Sequence, residues 1–407
     1  MKSVYCSVIT IGDELLIGQT IDTNSAWIAQ QLNKIGIWVK RRVAVGDVKE
    51  DIMQALDQES EQSDLIIITG GLGPTADDIT KPLLCEYFGS TLIQNKEILD
   101  HVTNLFSIRK RPMLDTNLKQ AMVPDNCTIL FNEVGTAAGM WFEKNKIVYI
   151  SLPGVPFEMQ HIMTERAISK LKSHFITPVI LHRTLVTSGE GESFVANRLI
   201  DFEAKLPPYI KLAYLPKLGI VKLRLTASDI DTNEIDTYFH ELKIILANIT
   251  VADTDIELEE AIYNLLIKRN ETLSIAESCT GGLLCSRITS IKGSSNIFKG
   301  GYVPYTIESK INVLGIDKMT IETHDVISEA VVVEMAEHCR KRMNSTYALS
   351  VSGHLEKQQG DTVVWIGISK EGKNLAKKMN VFYDREKNGV FVTNNALNLL
   401  RQFILHG

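Results

Sequence analysis

The chain has 407 residues, 44% hydrophobic, 23% charged and 7% aromatic; at roughly 100–200 residues per domain that is enough for about two to four domains, each with a core of its own. A net charge of −6 argues against sequence-independent nucleic-acid binding, which needs a basic face. No run approaches the roughly 18 apolar residues of a membrane span, the apolar run entered at Met1–Cys6 is too short for a signal h-region and lacks a small-residue cleavage site, and the six cysteines form no CxxC pair and no zinc spacing. A cytoplasmic multidomain protein with reduced thiols, no membrane partner and no nucleic-acid partner is the expectation.

Val4–Ile11 reads as a buried strand, and residues 25–35 as a helix with Thr23 and Asn24 as candidate caps. A second strand follows at 38–45, a helix at 50–61, and a near-continuous apolar strand at Leu65–Thr69. Such runs mark strands covered on both faces, so an α/β layered fold with a largely parallel sheet is expected. Ile147–Leu152 is another such strand, ending in Pro153-Gly154 before a helix from Phe157. The helical pattern fades near His174, and Ile176-Thr177-Pro178 reads as a linker. A small α+β unit then runs to about Ile249: strand, helix (193–202), two strands separated by Pro216-Lys217-Leu218-Gly219, and a helix. A third unit begins near Ile256 with strand–helix alternation. The expected domains are 1–175, 176–252 and 253–407.

Two loops of the first unit carry chemistry. Gly12-Asp13-Glu14 follows the first strand, and Gly70-Gly71-Leu72-Gly73-Pro74-Thr75-Ala76-Asp77-Asp78-Ile79-Thr80 follows the third. Ligands of open α/β sheets bind beyond the carboxyl ends of strands, and glycines admit main-chain N–H groups close to an anion. Asp77 and Asp78 would repel a phosphate unless a divalent cation lay between them, which points to a metal-bridged phosphate site. A Gly/Pro turn with helix-capping Asp and Thr is the plainer alternative.

In the third unit, Ala276-Glu277-Ser278-Cys279-Thr280-Gly281-Gly282 follows a strand at 272–275 and is expected to open a helix. A hydroxyl there can act as nucleophile, and a desolvated lysine such as Lys310, in Tyr305-Thr306-Ile307-Glu308-Ser309-Lys310, can act as its base. These residues alone fit a helix cap with a solvated lysine at least as well. Cys279 carries no mark of an activated thiol. In the middle unit Lys205, Lys211, Lys217, Lys222 and Arg224 are diluted by Asp201, Glu203, Asp229 and Asp231, so a solvated or contact role outweighs RNA binding. Asp384-Arg385-Glu386-Lys387 reads as a solvated turn or helix start without chemistry.

These segments, with Asn117-Leu118-Lys119-Gln120-Ala121, Asn132-Glu133-Val134-Gly135-Thr136-Ala137-Ala138-Gly139 and Leu152-Pro153-Gly154-Val155-Pro156-Phe157-Glu158-Met159, resemble the CinA (competence/damage-inducible) family over essentially the whole chain. The resemblance implies an N-terminal molybdopterin-binding fold of the MoaB/MogA type, a small middle domain, and a C-terminal deamidase-like domain. It implies a metal-dependent ADP-ribose pyrophosphatase in the first. Asp13, Asp77 and Asp78 would be ligands of Mg, Mn or Co, with Asp78 catalytic, and Gly12, Asp13, Glu14, Asn24, Gly71, Gly73, Pro74, Thr75, Thr80 and Gly154 would contact substrate. In the last domain it implies a Ser/Lys amidohydrolase on nicotinamide mononucleotide. Ser278, Lys310 and Tyr305 would be catalytic, and Thr280 and Gly281 would contact substrate. A homodimer is implied as well.

Four positions depart from the family pattern. Ala138 stands where the family usually has proline, Asp22 where some relatives have asparagine, and Ile307 where asparagine is usual. After the strand at 348–352, Gly353-His354-Leu355-Glu356-Lys357-Gln358-Gln359-Gly360-Asp361-Thr362 replaces a longer glycine-rich loop suited to bind substrate or an oxyanion. The nucleophile pair is retained and that loop is not, which opens the alternative of a nucleotide- or molybdopterin-binding regulatory protein linked to competence.

Overall fold

Runs of β-branched and large apolar residues with no polar alternation form the central strand of the first sheet, because both of its faces are covered. The computed structural model describes residues 3–75, 77–356 and 362–406. They divide into two compact units, Met1–Ile180 and Leu181–Gly407.

The first unit is built on β1 (Val4–Ile11), β2 (Ile37–Val45) and β3 (Leu65–Thr69), with β4 (Leu92–Gln94) and β5 (Met122–Pro124) in a separate two-stranded sheet, then β6 (Thr128–Leu130), β7 (Gly139–Lys144) and β8 (Ile147–Leu152). The main sheet has the order β2-β1-β3-β8-β7-β6. Its first four strands are parallel and its last two antiparallel. Along β3, Leu65 and Ile67 enter one core and Ile66 and Ile68 the core on the opposite face. This period-2 split explains why the sequence there is uniformly apolar. The helix expected at 25–35 spans Thr23–Lys34, and its cap is Asp22, whose carboxylate accepts from the Ser25 N–H at 2.9 Å. Thr23 and Asn24 therefore lie inside the helix.

The second unit carries β9 (Ile180–Ser188), β10 (Lys211–Lys217), β11 (Ile220–Ser228) and β12 (Thr250–Ala252) in the order β10-β11-β9-β12. Helices Glu192–Lys205 and Thr232–Ile245 pack on that sheet around Leu199, Leu223 and Phe239. Pro216, expected in the turn, pairs with Val221 inside β10. An edge strand tolerates the missing N–H. A second sheet follows: β13 (Leu273–Glu277), β14 (Phe298–Tyr302), β15 (Tyr347–Gly353), β16 (Val363–Lys370) and β17 (Lys373–Asn380), in the order β14-β13-β15-β16-β17. β14, β13 and β15 are parallel, while β15, β16 and β17 follow one another antiparallel. The long helix Arg385–His406 covers one face through Val392, Leu397 and Leu400. No described helix is long and apolar enough to cross a membrane.

The cap assignment is testable. Asp22→Ala is expected to lower unfolding free energy by about 1 kcal/mol, and Thr23→Ala to stay within about 0.5 kcal/mol, in urea titrations.

Candidate active sites

In the first unit the parallel strands end in loops that meet at their carboxyl edge. Gly70, after β3, has φ +115°, and a Cβ there would stand 2.2 Å from the Ile11 carbonyl oxygen, so only glycine lets the loop cross β1. The loop is then fastened from within. Asp78 accepts from the Gly73 N–H at 2.7 Å and from the Thr75 N–H and hydroxyl at 2.9 and 2.5 Å. Thr80, fully buried, donates its hydroxyl to the Gly70 carbonyl at 3.2 Å. Asp78 and Thr80, expected at the metal–phosphate chemistry, thus spend their polar atoms on the loop itself. Ala76 lies outside the described residues. Pro74 and Thr75 are exposed at the loop tip, beside the exposed Asp77.

Asn24 ties three segments together: its amide donates to the Thr69 hydroxyl at 3.1 Å and to the Gly154 carbonyl at 2.7 Å. Its own Oδ1 is buried without a hydrogen-bond partner. A Cβ on Gly154 would come within 3.4 Å of the Gly70 Cα, so these two loops touch backbone to backbone. Gly12 continues the sheet by donating to the Val45 carbonyl at 3.0 Å. Beyond it Asp13 and Asp47 exchange hydrogen bonds, each backbone N–H donating to the other's carboxylate at 3.1 and 3.2 Å. Burial raises the Asp47 carboxyl above the usual range, and the charges of Asp13, Glu14 and Asp77 add to the rise. The Asp77 carboxyl, beside Thr75, instead lies below its usual range. Asp47 belongs to this acidic edge although its sequence context gave no sign of it; its place after β2, a strand parallel to β1, was the signal available. Among the described residues no group of three His, Cys, Asp or Glu side chains is arranged to hold a metal ion alone.

The second unit holds the other site. Ser278 follows β13 and extends its pairing, donating its N–H to the Val351 carbonyl at 2.9 Å. The helix after it starts at Leu283, later than expected, because Gly281 and Gly282 both have positive φ. The turn is organised by Glu277, whose wholly buried carboxylate accepts from the Thr280 hydroxyl (2.7 Å) and from the N–H groups of Gly282, Leu284 and Cys285 (3.2, 2.9 and 2.8 Å). Those donors are the orphan amides of the helix start. Thr280, expected at the substrate, is committed to this carboxylate.

Lys310 opens a wide helical turn, Lys310–Leu314, and is only 2% exposed. Its Nζ lies 3.0 Å from the Ser278 Oγ and donates to the Pro304 carbonyl at 3.0 Å. Burial pulls its pKa below the ordinary lysine value. Burial also pushes the Cys279 thiol up to about 12, which leaves it a poor nucleophile at neutral pH. Ser278 and Lys310 face a cavity of about 270 Å³ shared with Tyr305, Ile307, His354 and Arg385. The Tyr305 hydroxyl accepts from Arg385 at 2.8 Å, so Tyr305 sits at the rim as the partner of a guanidinium. Arg385, read from the sequence as a solvated turn, lines the cavity because Arg385–His406 begins beside it. Of the divergent loop, 353–356 line the cavity and residues 357–361 lie outside the described residues.

Residues 255–404 match the family described as CinA C-terminal domain, residues 7–173 the probable molybdopterin binding domain, and residues 182–249 the damage-inducible protein CinA KH domain. A CinA-like protein of Flavobacterium psychrophilum is 44% identical over 98% of this chain and 98% of its own length. The chain belongs to the CinA family. A CinA-like protein of Cytophaga hutchinsonii is 42% identical over the same shares. A solved CinA structure from Thermoplasma acidophilum is 34% identical over 42% of this chain and 98% of its own, with a TM-score of 0.38. The fold is thus a MoaB-like N-terminal domain, a KH-like middle and a CinA C-terminal domain. Within the KH-like segment Lys217 pairs with Glu257, and Lys222 with Asp255 and Glu257, so these lysines are neutralised.

If Glu277 holds the Ser278–Gly282 turn, Glu277→Ala lowers unfolding free energy by about 3 kcal/mol or more, since buried donors lose a charged acceptor. Glu277→Gln recovers part of the loss. Urea titration of both variants against the parent checks this.

Proposed function

We propose that the C-terminal domain is an amidohydrolase acting on nicotinamide mononucleotide, with Ser278 as nucleophile and Lys310 as its base. The observation that carries this reading is the 3.0 Å contact between a buried lysine and that serine in one cavity. Unprotonated Lys310 takes the Ser278 proton as Oγ attacks the amide carbonyl carbon, and returns it to the departing nitrogen, so that ammonia leaves. Water then cleaves the acyl-serine, giving the carboxylate and restoring Ser278. The Cys279 and Thr280 N–H groups make no backbone hydrogen bond among the described residues and would be free to donate to the oxyanion. Arg385, oriented by Tyr305, supplies the fork that a phosphate monoester requires.

For the N-terminal domain we propose a divalent-cation-dependent pyrophosphatase acting on ADP-ribose. Mg²⁺-like ions commonly bind through one or two carboxylates plus substrate phosphates. The crowding of Asp13, Glu14 and Asp77 about the half-buried Asp47 suits that arrangement better than an all-protein cage. Asp13 and Asp47 would hold the ion together with the substrate phosphates, with Asp77 beside them, and Asp78 would fix the glycine-rich loop. When bound, the cation supplies charge neutralisation for the diphosphate and polarisation of the attacking water. The unpartnered Oδ1 of Asn24 is an acceptor for a ribose hydroxyl. We place both activities in the cytoplasm, in a homodimer.

Three outcomes follow. Purified protein releases ammonia from nicotinamide mononucleotide, and Ser278→Ala loses the release while still cleaving ADP-ribose. No release from folded protein would leave this domain a binding module. Because only neutral Lys310 can accept the proton, kcat/KM rises with pH and levels off above a pKa lower than that of an ordinary lysine. A profile flat from pH 6 to 10 would contradict the assignment. In the other domain, Asp47→Asn raises the Mg²⁺ concentration for half-maximal ADP-ribose cleavage about tenfold or more.

A further inference from the structure

A second cleft of about 690 Å³ in the Leu181–Gly407 unit is formed where the end of Arg385–His406 meets β17 and the segment before β12. Its apolar wall includes Leu375, Leu399 and Phe403. Its polar wall includes Asn248, Lys373 and Arg401, and among the described residues no carboxylate lines it. Arg401 is 7% exposed, and its Nε donates to the Asn398 Oδ1 at 3.2 Å. Beyond that bond its guanidinium has no hydrogen-bond acceptor and no ion-pair partner among the described residues, and it lines the open cleft. Water can satisfy a guanidinium that opens to a cleft, and an anion that displaces the water pairs with it more strongly. Burial lowers the Arg401 pKa.

Lys373 adds a second positive group on the facing strand, its Nζ 5.5 Å from the centre of the Phe403 ring. The Asn248 Oδ1 is occupied by Arg198, which leaves the Asn248 amide N–H groups as further donors. A fixed guanidinium, an ammonium and an amide above an apolar wall are complementary to one kind of molecule. We propose that this cleft binds a small organic anion, a carboxylate or phosphate carried on an apolar body. Neither Ser278 nor any residue of the acidic edge takes part in it, so the site is separate from both proposed reactions.

Hydrogen–deuterium exchange of the full-length protein localises the binding, with octanoate as the carboxylate probe and adenosine monophosphate as the phosphate probe. At least one probe is expected to slow exchange in residues 373–375 and 399–406, and the probe that does so names the head group. Lys373→Met and Arg401→Met are each expected to raise the half-saturating concentration about tenfold. Lys373 is exposed on β17, so that variant decides the matter if Arg401→Met fails to fold. Unchanged exchange in these segments with both probes, or unchanged saturation in the folded variants, would overturn the proposal.

Discussion

Everything at the C-terminal site depends on one buried carboxylate. Glu277 ends β13 inside the sheet and gathers four donors from the turn and helix that follow. A charge without water is held only by such a full set of hydrogen bonds. Because those donors are fixed, the five residues from Ser278 to Gly282 adopt one path, and Ser278 stands opposite Lys310. The lysine is buried in turn, so its protonated form is disfavoured where a proton acceptor is needed. Local stability and chemistry therefore share a cause.

The N-terminal domain reaches a comparable result with weaker charges and tighter backbone. Parallel strands β1, β3 and β8 deliver their loops to one edge, and Asn24 locks two of them with its amide. Gly70 makes the crossing possible, and Asp78 stiffens the loop tip. The remaining carboxylates crowd together, and burial, with their charges adding to it, raises the Asp47 carboxyl. The proposed cation-dependent pyrophosphatase rests on this rigid glycine-rich backbone beside crowded negative charge.

Strands buried on both faces were legible because their residues are apolar without alternation, as in Leu65–Thr69 and Ile147–Leu152. The Ser278–Lys310 pair was legible as candidates, but their 3.0 Å contact joins residues 32 apart in sequence, which no local pattern encodes. Asp22 was overlooked as a cap because Thr23 and Asn24 are equally good capping types, and only backbone geometry separates them. Pro216 was read as a turn, since its tolerance in β10 depends on that strand lying at the sheet edge. Arg385 and Asp47 look like solvated charges in sequence. Their roles come from the loops and helices that tertiary packing sets beside them.

The central claim is that buried Lys310 activates Ser278. Peptide mass spectrometry after exposure to a fluorophosphonate probes it without assuming a substrate. The account predicts one adduct, on Ser278, formed faster as pH rises and lost in Lys310→Met. An unmodified Ser278, an adduct on Cys279, or an undiminished rate in Lys310→Met would contradict it.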